Sequence, residues 1–372
     1  MKQFFLFFRY GLYAFWGMLL SIVLLSGCSF ETKPCTEVSI EGDNFMINGE
    51  PTYKGRVWNG VPIEGLLMNS RMVQGIFDDL NPETVSLFGY PDTQQWDAER
   101  NTDEFIQAMD SWLSHGMLAF TLCMQGGSPF GYKYKPVINS AFDEQGELRL
   151  EYMQRLERIL DAADAKGMVV ILGYFYFGQD EHLKDENAVL NAVDNITKWL
   201  VSKNYRNVLI EVANECNYGY HHDILKAPEI HRLIERIKQV SEQAGRRLLV
   251  GTSFTGRTMP TVEVADVSDF ILLHGNGVDD PLVISQMVSE ARALTAPVMK
   301  PVLFNEDDHF DFEKDTCNMT MAVRSHASWG YFDYRMEGES FQEGYQSVPV
   351  DWTISSDRKR GFFSKLKEIT GF

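Results

Sequence analysis

The sequence predicts a single α/β domain in which eight parallel strands alternate with helices and close into a (β/α)8 (TIM) barrel. Short apolar runs recur along the chain, and each is followed by a polar or glycine-rich loop and a segment of helical periodicity. There are eight such runs, the number that closes a barrel. An open doubly wound sheet is the alternative, but its glycine-rich phosphate-binding turn is not present in the sequence.

The first 28 residues are expected to be a lipoprotein signal peptide rather than part of this domain. Lys2 and Arg9 precede an apolar run over residues 10–25, in the charged-then-apolar order of a secretory signal. Residues 25–28, Leu-Ser-Gly-Cys, resemble a lipobox, in which the Cys28 thiol receives a diacylglycerol. A plain transmembrane anchor is the alternative, because about 18 apolar residues can cross a bilayer.

Both alternatives place the rest of the chain outside the cytoplasm, anchored in the cell envelope and facing the outer membrane or periplasm if the cell is Gram-negative. Residues 29–37 are expected to form a tether, since most of them are polar and Pro34 is among them. Residues 38–372 then form the barrel domain, because one barrel commonly takes about 250 residues or more. We expect a monomer.

The composition is strongly acidic, which narrows the classes of partner. The formal charge is −18, and removal of Lys2 and Arg9 with the signal peptide changes it to −20. Proteins that bind nucleic acid or anionic lipid need basic patches, so neither is expected as a partner. A neutral or cationic substrate suits this charge, and the alternative is that the charge simply keeps the protein soluble. The cysteines after Cys28 are far apart and without a CxxC pair, so we expect buried thiols with at most one disulfide; they are Cys35, Cys123, Cys216 and Cys317.

The elements follow in order along the domain. Residues 38–40 and 44–47 flank a turn and predict an N-terminal β-hairpin that plugs the bottom of the barrel. Continuous apolar runs such as residues 168–172 are typical of parallel strands buried on both faces. The eight predicted barrel strands are residues 65–69, 118–124, 168–174, 208–213, 248–252, 270–273, 301–304 and 330–334.

Helices are predicted between the strands from apolar residues at helical spacing. The first has an apolar face that includes Phe105 and Trp112, and Asn101 or Thr102 is its expected N-cap. The other helices are predicted around residues 152–163, 189–200, 230–240, 284–288, 319–327 and 362–369, with a short one near residue 261.

Two of the strands end in the same dipeptide. The fourth finishes in Asn214 and Glu215, and the seventh in Asn305 and Glu306. Chemistry in this fold takes place at the carboxyl ends of the strands, and strands four and seven lie on opposite sides of the ring. A single glutamate at a strand end is usually an ion-pair partner, but two that face each other suit the cleavage of a glycosidic bond. One protonates the leaving oxygen while the other, ionised, attacks the anomeric carbon.

The fourth strand also carries a family resemblance. Residues 210–215, Ile-Glu-Val-Ala-Asn-Glu, resemble the signature of the clan A retaining glycoside hydrolases, the cellulase- and mannanase-like barrels of glycoside hydrolase family 5. The resemblance implies that Glu215 is the acid/base and that Asn214 binds the sugar 2-hydroxyl. It also implies that Glu306 is the nucleophile and that His274 belongs to the site.

The chain departs from the clan at four positions. Cys216 stands where proline commonly follows the acid, and Asn305 replaces a small residue. Asn276 stands where a tyrosine hydrogen-bonds the nucleophile, and Phe332 where a tryptophan commonly floors the subsite of the cleaved sugar. The two glutamates and the asparagine before the acid remain, so the resemblance still implies the mechanism, whereas it implies no particular polysaccharide.

Further strand-end residues are candidates for contact with sugar hydroxyls or for stacking on a sugar ring. They are Asn69 and Arg71 after strand one, Gln125 after strand two, and Tyr174 and Tyr176 after strand three. Ordinary packing is the alternative for each of them. Residues 305–311 are dense in oxygen ligands, but the paired histidine motif of a metal-dependent barrel hydrolase is missing from the sequence, so neither a metal nor a cofactor is expected.

The expected function is the retaining hydrolysis of O-glycosidic bonds in a poly- or oligosaccharide. A lipoprotein of the same fold that binds glycan without cleaving it is the main alternative, and inverting hydrolysis is the second. The distance between the two carboxyl groups distinguishes the mechanisms, because retention needs about 5–5.5 Å and inversion more than about 6.5 Å.

Overall fold

The computed structural model of this chain describes residues 36–127 and 136–372. The predicted signal peptide with Cys28, and nearly all of the predicted tether, lie outside the described residues. Among the residues that are described, no helix has both the length and the apolar character needed to cross a membrane.

A small antiparallel sheet precedes the barrel and confirms the predicted hairpin, to which it adds a third strand. Its strands are β1 (Val38–Glu41), β2 (Asn44–Ile47) and β3 (Glu50–Pro51), followed by a ribbon of β4 (Val57–Trp58) and β5 (Val61–Pro62). Phe45 is fully buried, and its ring lies 6.2 Å from the ring of Phe270, which immediately precedes a barrel strand. This contact places the sheet at the amino-terminal end of the barrel strands, away from the face where chemistry is expected.

Within the described ranges, eight parallel strands form the barrel, one for each predicted run. They are β6 (Asn69–Arg71), β7 (Ala119–Cys123), β8 (Val169–Phe175), β9 (Val208–Ala213), β10 (Leu249–Gly251), β11 (Ile271–His274), β12 (Val302–Glu306) and β13 (Gly330–Tyr331). One six-stranded sheet has the order β10-β9-β8-β7-β6-β13, and β11 pairs with β12. Because every pair is parallel, the carboxyl ends of all eight strands lie at one face.

The ladder of hydrogen bonds around the barrel is interrupted at two seams. Between β10 and β11, the Asp269 N–H donates to the Val250 carbonyl at 2.9 Å. Between β12 and β13, Ser328 exchanges hydrogen bonds of 2.9 and 3.0 Å with Phe304 and Val302. The eight strands therefore follow one another in chain order, but the pair β11–β12 is joined to its neighbours by isolated bonds rather than by continuous pairing.

The first barrel strand is the one that the sequence prediction misplaced. It covers Asn69–Arg71, whereas residues 65–69 were predicted. Gly65 has a φ of +86° and exchanges backbone hydrogen bonds with Thr52 and Phe45, so it belongs to the small N-terminal sheet. The apolar run after it is buried without being part of the barrel ladder. Arg71 therefore lies within the strand, which fixes its backbone.

Eight α-helices of the described residues surround the strands, close to the predicted positions. They are α1 (Ala98–Leu113), α2 (Leu150–Lys166), α3 (Glu186–Ser202), α4 (His231–Gln243), α5 (Val262–Val267), α6 (Pro281–Thr295), α7 (Asn318–Arg324) and α8 (Asp357–Thr370). The predicted N-cap of α1 was wrong. Asp97 caps it by accepting from the Arg100 N–H, whereas Asn101 is buried and donates to the carbonyls of Gln74 and Gly75.

The three cysteines in the described ranges are buried free thiols, as predicted; they are Cys123, Cys216 and Cys317. Cys123 is the last residue of β7, and burial raises the pKa of its thiol to about 12. A buried thiol with a raised pKa stays protonated, so it contributes to core packing and does not act as a nucleophile.

Candidate active site

The carboxyl ends of four strands bring together the residues that the sequence singled out. Glu306 ends β12, His274 ends β11, and Arg71 ends β6. Glu215 lies two residues beyond β9. Since the carboxyl ends of these parallel strands lie at one face of the barrel, residues that are up to 235 positions apart in the sequence become neighbours.

Glu306 is almost fully buried and is held by two direct contacts. The Arg71 Nε lies 2.6 Å from its Oε2, and the Asn276 amide donates to its Oε1 at 2.6 Å. The Nδ1 atom of His274 lies 3.7 Å from the same Oε2. The predicted site residues Arg71, His274 and Asn276 therefore all surround this carboxylate, and Asn276 takes the hydrogen-bonding position that the resemblance assigns to a tyrosine.

Glu215 faces Glu306 across His274. The Nδ1 atom of His274 lies 3.0 Å from the Glu215 Oε1, within hydrogen-bond distance. One oxygen of each glutamate and one nitrogen of the histidine all lie within 4.8 Å of one another. Glu215 has a φ of +50°, in the left-handed region that few residues other than glycine adopt.

Burial and charge act in opposite directions on these groups. Burial raises the pKa of Glu306, and the charge on Glu215 adds to this, whereas Arg71, His274 and the Asn276 amide oppose it. Burial by itself would lower the pKa of His274, but Glu306 and the hydrogen bond to Glu215 raise it above its ordinary value. The surroundings therefore favour the protonated form of the His274 imidazole.

Arg71 also orients Asn214. Its Nη2 donates to the Asn214 Oδ1 at 2.6 Å, and both side chains are buried. Because the amide oxygen is thus engaged, the NH2 group of Asn214 is the part that can donate to a ligand.

Sequence reasoning missed the buried residues Glu211, Ser253 and, as a contact residue, Asn305. The Glu211 carboxylate accepts from Ser253 at 2.6 Å, from Asn305 at 3.2 Å and from Arg71 at 3.3 Å. One signal was present, since a single carboxylate in the otherwise apolar β9 must find partners when it is buried. The partners themselves come from other strands and have no local signal.

Two of the predicted contacts lie in the protein interior. The Asn69 amide donates to the carbonyls of Leu67 and Phe304 at 3.3 and 3.0 Å, which links β6 to β12. The Tyr174 hydroxyl lies 3.2 Å from Thr197 of α3, so the ring points outward into the helix layer. A sugar contact by Tyr174 is therefore not what the structure supports, because alternate residues of a strand face opposite sides.

The remaining predicted contacts lie in the loops that follow the strands. Gln125 donates to Ser140 and to the Gln179 carbonyl at 3.2 and 3.3 Å. Tyr176 is buried and interacts electrostatically with Arg71, so it borders the cluster. Phe332 follows β13, and its ring lies 5.8 Å from that of Tyr334.

A second group of potential metal-ligand atoms belongs to the residues that directly follow Glu306 in the sequence, Asp307, Asp308 and His309. Asp307 accepts from the Trp329 indole at 2.9 Å and from Asn318 at 3.3 Å, and its Oδ1 lies 2.7 Å from the His309 Nδ1. Asp308 is close to the same imidazole, at 3.4 Å. Because N–H groups already occupy the buried oxygens of Asp307, this cluster fastens the loop after β12 rather than offering a cation free ligands.

Comparison with known proteins assigns the chain to a family. The family model for cellulase (glycosyl hydrolase family 5) matches residues 78–270, just over half of the chain. The chain belongs to glycosyl hydrolase family 5. It is therefore a glycosidase that acts on carbohydrate, and its eight strands are those of the family's barrel. The matched range includes Glu211, Asn214 and Glu215, and it ends before β11.

Solved structures of glycoside hydrolases support the same fold at low sequence identity. The endo-1,4-beta-mannanase from Rhizomucor miehei is 10% identical with a TM-score of 0.54, and the match covers 90% of this chain and 99% of that one. A glycoside hydrolase family 5 protein from Bacteroides vulgatus ATCC 8482 is 13% identical with a TM-score of 0.53, over 89% and 70% of the two chains. A proposed glycoside hydrolase from the same organism is 13% identical with a TM-score of 0.51 over 86% of this chain, which spans 60% of its length. No curated protein matches the sequence.

Proposed function

We propose that this family 5 chain is a retaining O-glycosidase in which Glu306 is the nucleophile and Glu215 is the acid/base. The observation that carries the proposal is the approach of the two carboxylates, with an oxygen of each within 4.8 Å of the other. Retaining enzymes hold the two carboxyl groups about 5–5.5 Å apart, measured between the groups rather than between their nearest oxygens, and nearest oxygens within 4.8 Å are consistent with that spacing. The observed approach favours direct attack by one carboxylate on the sugar.

The difference in surroundings supports the assignment of roles. Arg71 forms an ion pair with Glu306 and Asn276 donates a hydrogen bond to it, and both contacts favour the ionised form that a nucleophile needs. The side chain of Glu215 is 11% exposed, against 1% for Glu306, so it is the one that can exchange a proton with water.

In the first step, an oxygen of Glu306 forms a bond to the anomeric carbon as the bond from that carbon to the leaving oxygen breaks. Glu215 gives its proton to the leaving oxygen, and the sugar remains as an ester of Glu306. In the second step, Glu215 takes a proton from water, the water oxygen bonds to the anomeric carbon, and the ester bond breaks. Asn214, held by Arg71, donates to the 2-hydroxyl, where hydrogen bonds strengthen in the transition state.

Azide tests the two roles separately. In Glu306→Ala, azide can take the place of the nucleophile and is expected to give a glycosyl azide of inverted configuration. In Glu215→Ala, the glycosyl ester forms from an activated aryl glycoside, and azide attack on it is expected to give a product of retained configuration. Proton NMR of the products distinguishes these outcomes, and exchanged or identical stereochemistry would contradict the assignment.

The proposed substrate is a neutral poly- or oligosaccharide with β-linked glucose or mannose. A chain of formal charge −18 repels acidic glycans, and the similar structures include an endo-1,4-beta-mannanase and an endoglucanase. The substrate class is tested by measuring sugar release from β-glucans, β-mannans and aryl β-glycosides by the protein of residues 36–372. Absence of release from every one, with folded protein, would favour the non-cleaving glycan binder.

We also propose that the enzyme is attached to a membrane of the cell envelope through lipidated Cys28, and that its domain is a monomer. The support is the sequence of residues 25–28 after an apolar run. Expression of the full chain in bacteria, followed by detergent-phase partition and mass spectrometry, tests the anchor. Cys28→Ala is expected to lose the diacylglycerol mass and the detergent partition, and an unmodified wild-type Cys28 would contradict the proposal. Size-exclusion chromatography with light scattering tests the monomer, and a dimer mass would contradict it.

A further inference from the structure

A third carboxylate lies beneath the proposed catalytic pair and is connected to both of its members. Glu211, on β9, is fully buried and precedes Glu215 by four residues. Its Oε1 accepts from the Ser253 hydroxyl, and its Oε2 accepts from Asn305 and Arg71. A buried carboxylate with several donors is held in one position, because each lost donor would leave charge unpaired in the interior.

One branch of this network reaches Glu215. The Ser253 hydroxyl donates a hydrogen bond to Glu211 at 2.6 Å and accepts one from the Glu215 N–H at 2.9 Å. Because the single O–H of Ser253 points to Glu211, a lone pair of its oxygen is available to face that N–H. The left-handed backbone of Glu215 is strained, and a fixed acceptor for its N–H stabilises a conformation that glutamate rarely adopts.

The other branch reaches Glu306. Arg71 contacts Glu211 through Nη1 at 3.3 Å and Glu306 through Nε at 2.6 Å. Asn305, which donates to Glu211, directly precedes the nucleophile in β12. Glu211 therefore shares the charge of Arg71 with Glu306, so that the nucleophile is not neutralised by an arginine of its own.

We propose that Ser253 and Glu211 are positioning residues, with Ser253 setting the place of the acid/base and Glu211 connecting the acid/base to the nucleophile. Neither residue touches the substrate. The inference rests on the proposed roles of Glu215 and Glu306, and it assigns a function to two buried side chains that the double displacement itself does not use.

The end of β10 supplies a matched control. Thr252 is buried next to Ser253, and its hydroxyl also bridges to β9, where it donates to the Ala213 carbonyl at 2.9 Å and accepts from the Ala213 N–H at 3.3 Å. Thr252→Val and Ser253→Ala each remove one cross-strand hydroxyl from neighbouring positions. Only the second removal disconnects Glu215 from Glu211.

The test compares two leaving groups, with kcat/KM as the readout because it reports the step in which the leaving group departs. The probes are 2,4-dinitrophenyl glycosides, which leave without a proton, and phenyl glycosides, which need the acid. Both carry the sugar that the wild-type enzyme releases. A positioned acid contributes about 10²–10⁴-fold, and Ser253→Ala is expected to lose about tenfold more on the phenyl than on the dinitrophenyl substrate. Thr252→Val is expected to keep the wild-type ratio. Glu211→Gln should slow both substrates, because it disturbs both branches.

Equal losses on the two substrates in Ser253→Ala would overturn the inference, as would a selective loss in Thr252→Val or full activity in Glu211→Gln. If Ser253→Ala does not fold at 25 °C, Ser253→Cys replaces it, and its weak thiol donor should produce the same selective loss. Wild-type protein that cleaves neither aryl glycoside nor any glycan would instead overturn the proposed function, and this inference with it.

Discussion

The surroundings of Glu306 and those of Glu215 restrain a carboxylate in different ways. Glu306 is part of a barrel strand, so the ladder fixes its backbone, and an arginine and an asparagine each contact its oxygens at 2.6 Å. Glu215 lies beyond the end of β9, where its N–H bonds to Ser253 and its carboxylate lies 3.0 Å from the His274 Nδ1. Glu306 is held by both its backbone and its side chain, whereas Glu215 is held largely by its backbone.

This difference corresponds to what the two proposed roles require. A nucleophile must keep its charge and its distance to one carbon atom, so strong contacts to the carboxylate are an advantage. An acid/base gives up and regains a proton in each cycle, and a carboxylate tightly bound to an arginine would not do this near neutral pH.

The largest expected effect comes from removing the carboxylates themselves. Glu306→Ala should lower kcat/KM by about 10⁵-fold or more on every substrate, because no other group can form the glycosyl ester. Glu215→Ala should lower it by about 10²–10⁴-fold on substrates with poor leaving groups. Equal losses of kcat/KM in the two variants on a dinitrophenyl glycoside would contradict the different roles of Glu306 and Glu215, since this substrate does not need the acid.

The second effect concerns the stability of the nucleophile's surroundings. Arg71→Met leaves Glu211 and Glu306 buried without their shared cation, and the free energy of unfolding should fall by about 3–5 kcal/mol. Urea titration followed by circular dichroism measures the change. The control is Lys54→Met, which removes an exposed ion pair with Glu50 and should leave the free energy of unfolding nearly unchanged. Similar losses in both variants would mean that the buried cluster adds no more to stability than a surface pair.

The two regions also differ in how far the sequence could predict them. Strand and helix positions follow from local periodicity, and both glutamates could be found because each ends an apolar run. The position of β6 could not be predicted. Residues 66–68 are apolar because they are buried, although they lie outside the barrel ladder, and only the hydrogen bonds of Gly65 with Thr52 and Phe45 show that Gly65 belongs to the N-terminal sheet. The role of Glu211 depends on donors from β6, β10 and β12, and pairing over such sequence distances leaves no periodic pattern.

A third prediction concerns the pH dependence of the contact between His309 and Asp307, in the loop that follows the nucleophile. The hydrogen bond to Asp307 raises the pKa of His309 to about 9 from an ordinary value of 6.5. Because the folded-state value is the higher one, this stabilisation is fully present below about pH 6.5 and is lost as the pH rises through about 9. The Tm difference between wild type and His309→Gln should therefore be largest at pH 6 and shrink toward pH 10. Scanning fluorimetry across this range checks it, and a constant difference would show that the pair is not charged.

The smallest effect is expected from a residue that faces away from both carboxylates. Tyr174→Phe removes a hydroxyl that lies 3.2 Å from Thr197 in the helix layer, so kcat/KM should stay within about twofold of wild type. Stability should fall by about 1 kcal/mol, the usual contribution of one hydrogen bond. A large rise in KM would instead support the sugar contact that the sequence predicted for Tyr174.

The left-handed backbone at Glu215 has a consequence for engineering. Asparagine and glycine tolerate this conformation better than glutamate does, so either residue at position 215 would relax the chain. Selection of a variant library for heat resistance alone would favour such replacements at position 215 and would enrich stable but inactive variants. The position is one where durability and turnover are in direct competition, and any thermostabilisation of this enzyme has to select for both at once.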